Sequence, residues 1–71
     1  MQLLLHDAAY TDRLASFLRS LGQAALVAAP GQLELDTPAT DSALHEMTIY
    51  LRVWRVLYPE AEVEIADAGA R

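Results

Sequence analysis

Cysteine, lysine and asparagine are absent from this 71-residue chain, and only three glycines and five aromatic residues occur in it. Without cysteine there is no disulfide to staple a small domain and no thiolate cluster for structural zinc. No glycine-rich loop is present to cradle a phosphate, and no histidine, carboxylate or serine spacing forms a catalytic signature. Cationic charge is scarce too: five arginines stand against ten acidic residues, for a net charge of −5. That balance repels phosphate backbones and anionic lipid, so nucleic acid and membrane surfaces are not expected partners. Met1-Gln2-Leu3-Leu4-Leu5-His6-Asp7 lacks the basic leader and long apolar run of a secretory signal. A cytoplasmic location is expected, and the arginine-only, alanine-rich composition suggests a high-GC bacterial origin.

What the chain has in excess is apolar helix surface. Between Pro38 and Tyr58 an angular step of about 100° per residue brings Leu44, Met47, Leu51, Trp54 and Tyr58 onto one stripe, with Tyr50 and Leu57 along its edge. This stripe is expected to face the core. Roughly a third of a turn away, Ile49, Val53 and Val56 form a second apolar strip, while His45, Thr48, Arg52 and Arg55 make the polar face. The strip has two explanations: packing against another helix of the same domain, or contact with a partner, most simply a second copy. Arg52 and Arg55 exclude a bilayer-spanning role for this helix.

The remaining pattern changes period several times. Gln2 to His6 reads as a strand. From Ala8 a helical stripe of Tyr10, Leu14, Phe17, Leu18 and Leu21 follows, started by Asp7 or Thr11 and ended by Gly22. Ala25 to Ala29 and Gln32 to Asp36 flank Pro30-Gly31 and read as a hairpin. Thr37-Pro38 is a helix-start signal, Pro59 a stop, and Ala61 to Ala66 alternates as a last strand. Residues 1–66 are expected to form one α+β domain, with 67–71 as a frayed C-terminal tail.

This strand-helix-strand-strand-helix-strand order resembles the ferredoxin-like split βαβ arrangement, a two-layer sandwich. The resemblance implies a four-stranded antiparallel sheet with two helices on one face and the first and third strands central. Regulatory ACT-type domains share the order and dimerise. Their glycine-bearing loop after the first strand is replaced here by His6-Asp7-Ala8-Ala9, and the arginine loop of acylphosphatases is missing. If Leu3, Leu5, Leu33, Leu35, Val63 and Ile65 face the helices, then Leu4, His6, Glu34, Glu62 and Glu64 line an open, acidic face. No strand carries an aromatic for stacking bases.

The expected function is therefore a small acidic, non-enzymatic protein-interaction module, homodimeric or docking on another protein, with Ile49, Val53, Val56 and Arg52 as interface. The alternative is a regulatory domain binding a small molecule or metal, with His6, Glu34 and Glu64 as candidate ligands on the open face. No cofactor is implied.

Overall fold

The computed structural model describes residues 1–38 and 40–66. The expected tail, 67–71, lies outside the described residues. Strand β1 (Gln2–Leu5) leads through a 3-10 turn at Ala8–Tyr10 into helix α1 (Thr11–Ser20). Strands β2 (Ala25–Ala29) and β3 (Gln32–Leu35) follow, then helix α2 (Asp41–Leu57) and strand β4 (Val63–Ile65). The four strands form one antiparallel sheet in the order β2-β3-β1-β4, so β1 and β3 are central. The fold is the expected α+β two-layer arrangement.

Local chemistry accounts for the turns. Asp7 accepts a hydrogen bond from the Ala9 amide and starts the 3-10 turn. Helix α1 ends in a Schellman motif: the Gln23 amide donates to the Leu18 carbonyl and the Gly22 amide to Arg19, with Gly22 at φ +87°. Between β2 and β3, Gly31 takes φ +79° after Pro30, the backbone sign that a type II turn requires at its third residue. A Cβ on Gly31 would stand 3.2 Å from the Leu5 carbonyl oxygen, so this glycine is also needed for close approach.

One face of the sheet carries the core. Leu3, Leu5, Leu33, Leu35 and Ala25 are buried against Leu14, Ala15 and Leu18 of α1 and Met47 and Trp54 of α2. Val63 and Ile65 pack against this core from the short last strand. The register places Gln2 opposite Glu34, Leu4 opposite Gln32, and Leu4 opposite Glu64 on the other face, which neither α1 nor α2 covers.

Two expectations about the helices need correction. Helix α2 begins at Asp41 rather than Pro38, with Thr40 as N-cap, its hydroxyl accepting from the Ala43 amide at 3.2 Å. Thr37 instead lies two residues past the end of β3, its carbonyl accepting from the Met1 amino group at 3.0 Å. Leu21 closes α1 as its C-cap and is exposed rather than buried; Thr11 and Ala15 take buried places in the helix instead.

Candidate interaction surface

Helix α2 rests on the core through Met47 and Trp54, both buried, with Leu44, Tyr50, Leu51 and Tyr58 half-buried beside them. Trp54 is the anchor. Its indole Nε1 donates to the Ala61 carbonyl at 3.0 Å, and its ring meets Phe17 and Tyr58 at centroid separations of 5.5 and 4.5 Å. Tyr10 closes the cluster edge-on at 6.5 Å, and the Arg13 guanidinium lies 5.5 Å from the Tyr10 ring centroid and 5.7 Å from that of Tyr58. The two helices are thus joined through aromatic side chains on the inner side of α2.

The second strip lies elsewhere. Ile49, Val53 and Val56 are 47%, 50% and 81% exposed, and Leu57, read as an edge of the core stripe, is 57% exposed. Helix α1 leaves the strip uncovered. Leu57 lies at the rim of a shallow groove between the helices, lined also by Phe17, Trp54 and Tyr58, so it joins Val53 one turn away as a continuation of the strip. A continuous apolar patch of four side chains results, from Ile49 to Leu57. Arg52 borders it, exposed, and neither Arg52 nor Arg55 has a carboxylate at ion-pair distance among the described residues.

On the open sheet face the strand register decides which candidates meet. His6 Nε2 lies 3.4 Å from Glu64 and its Nδ1 3.8 Å from Glu62, all with side chains more than half exposed. Glu34 is not part of this group. It stands opposite Gln2, four residues back along β1, where the Gln2 amide donates to it at 3.5 Å. That offset is about 13 Å of extended strand. Among the described residues no set of three or more histidine, aspartate and glutamate side chains is arranged to hold a metal ion.

One titrating pair bridges elements. The Tyr10 hydroxyl donates to Glu60 in the turn between α2 and β4. This bond raises the Tyr10 pKa above its ordinary value, with desolvation and the Glu60 charge adding to it, and lowers that of Glu60. Sequence spacing set Tyr10 on the apolar stripe of α1 but gave no sign of its pairing with Glu60, because the partners are far apart in the chain and meet only when the cluster around Trp54 forms.

Among the described residues no helix is long and apolar enough to cross a membrane. No protein-family model, curated protein or solved structure matches the chain.

Proposed function

We propose that this chain is a non-enzymatic interaction module that self-associates through the outer strip of α2. The supporting observation is the exposure of Ile49, Val53, Val56 and Leu57 side by side on one helix. A chain of 71 residues has few large aliphatic side chains to spend on its surface. Small domains of this size bury only about 60% of their unfolded surface and gain most from a partner.

Magnitudes favour a modest dimer. Covering what remains exposed contributes about 0.9–1.8 kcal/mol per side chain on average, or roughly 7–14 kcal/mol for the four side chains over two copies. The cost of association is roughly 4–15 kcal/mol, so the strip supports a weak to moderate complex. Arg52 at the border adds specificity rather than affinity, because a solvated rim charge gains little from pairing.

Light scattering over a wide concentration range tests the reading. The wild type is expected to approach twice the monomer mass, and Val53→Asp, which places a charge at the middle of the strip, to stay monomeric while folded. A wild type that remains monomeric at millimolar concentration removes the proposal.

A further inference from the structure

The two edges of the sheet are not equivalent. At β2 the Asp36 amide donates to the Ala24 carbonyl, which makes Ala25 and Leu35 a non-hydrogen-bonded pair and turns the Ala25 backbone groups outward. Both are occupied: the Ala25 amide donates to Gln23, and its carbonyl accepts from Arg19 Nε at 2.9 Å. Beyond Val27 the register shifts at a bulge. The Val27 groups also face outward, but the cap before them and the bulge after them limit further pairing at this edge to that one residue.

At β4 neither device occurs among the described residues. The His6 amide donates to the Glu62 carbonyl and the Ala66 amide to Gln2, so Leu5 with Val63 and Leu3 with Ile65 are the non-hydrogen-bonded pairs. The amides and carbonyls of Val63 and Ile65 therefore point away from β1. No described strand lies on that side.

The surroundings of this edge specify what fits it. Between β4 and α2 runs an open groove of about 550 Å³, walled by Leu51, Val63 and Ile65 and bordered by Arg52 and Arg55. On the opposite side, the open sheet face presents Glu62 and Glu64, both more than 60% exposed, with His6 and Arg55 beside them. A second copy pairing antiparallel is disfavoured in the registers that set Val63 against Val63 or against Ile65. Centred on Val63 it sets Glu62 against Glu64, and centred on Glu64 it sets that carboxylate against itself.

We propose that β4 takes up an extended segment of another protein as a fifth strand. The segment carries lysine or arginine at the alternate positions that meet Glu62 and Glu64. Its intervening side chains are aliphatic and lie beside Leu51, beneath the stems of Arg52 and Arg55. This surface is separate from the apolar strip on α2, and its occupant is chemically different.

The probe is a short end-capped peptide alternating lysine and valine, with a glutamate-valine peptide as control. Titration followed by amide NMR and hydrogen exchange is expected to show binding of the lysine peptide, with protection at Val63 and Ile65, and none of the control. N-methylation of Val63 in a chemically synthesised chain removes one outward donor and no internal hydrogen bond, and is expected to weaken binding about tenfold or more. Glu62→Lys together with Glu64→Lys is expected to reverse the preference between the peptides, which keeps the test decisive if the methylated chain folds poorly. Failure of the lysine peptide to bind, protection at β2 instead, or an unchanged preference in the double variant overturns the proposal.

Discussion

Thr11 shows how much one small side chain can hold together. It is 4% exposed, its hydroxyl donates to the Ala8 carbonyl, and it accepts from the Gly31 amide at 2.8 Å, while the Gly31 carbonyl accepts from Leu5. The entry to α1, the hairpin turn and the centre of the sheet thus share one hydroxyl. Thr11→Val keeps the shape but leaves the buried Gly31 amide without an acceptor, a loss of about 1–3 kcal/mol. In a domain of this size that lowers Tm by roughly 4–8 °C per kcal/mol, readable by thermal denaturation. Thr11→Ser is expected to recover much of the loss. Equal Tm values for the wild type and Thr11→Val would show that the hydroxyl is dispensable.

A second residue-scale prediction concerns pH. Because the Tyr10 hydrogen bond lowers the Glu60 pKa, its stabilisation is present above the ordinary carboxylate value and is lost as pH falls through the lowered one. The raised pKa of Tyr10 gives the opposite limb: stabilisation holds below the ordinary phenol value and is lost as pH rises through the raised one. Both groups are solvated, so the effect is small. In urea titrations the gap between wild type and Tyr10→Phe is expected to be constant around neutral pH and to narrow in acid and in strong base. Parallel profiles at all pH values would mean that the bond does not persist in solution.

At the scale of elements, the sequence was most legible where backbone chemistry is local. Pro30-Gly31, Gly22 and Pro59 act through φ or a missing donor, and the boundaries they mark hold whatever the tertiary context. The start of α2 was less legible, because Thr37 before Pro38 and Thr40 before Asp41 are both competent caps. The structure uses Thr40, while the Thr37 carbonyl is tied to the Met1 amino group, 36 residues away in the chain. Leu57 misled for a similar reason: the wheel gives its angle, but only the position of α1 decides where the core ends. The grouping of His6 with Glu34 turns on the β1–β3 register, which alternation leaves open and no hairpin sets, because α1 and β2 lie between these strands in the chain. Glu62, from the edge strand's approach, took its place. The edges differ in a way composition does not show: Ala25-Leu26-Val27-Ala28-Ala29 carries no charge, but the Ala25 carbonyl is capped by Arg19 and the register shifts beyond Val27, whereas the β1–β4 register is regular.

For the whole molecule, the partition of surface has a thermodynamic consequence. The apolar strip of α2 and the outer edge of β4 lie on either side of Arg52 and Arg55. If two copies associate through Ile49, Val53, Val56 and Leu57, unfolding becomes coupled to dissociation, and mass action makes apparent stability rise with protein concentration. Tm of the wild type is therefore expected to climb steadily over a hundredfold concentration range, by about 1–3 kcal/mol of apparent stability. Val53→Asp is expected to give a Tm independent of concentration, because the folded monomer keeps Met47 and Trp54 in its core and only the strip has changed. The lysine-valine peptide should still protect Val63 and Ile65 in that variant. Differential scanning calorimetry at graded concentrations, with and without peptide, separates the two surfaces. Loss of peptide binding in Val53→Asp would instead mean that the edge and the strip form one site, and a flat wild-type Tm would mean that the strip is not a self-association surface.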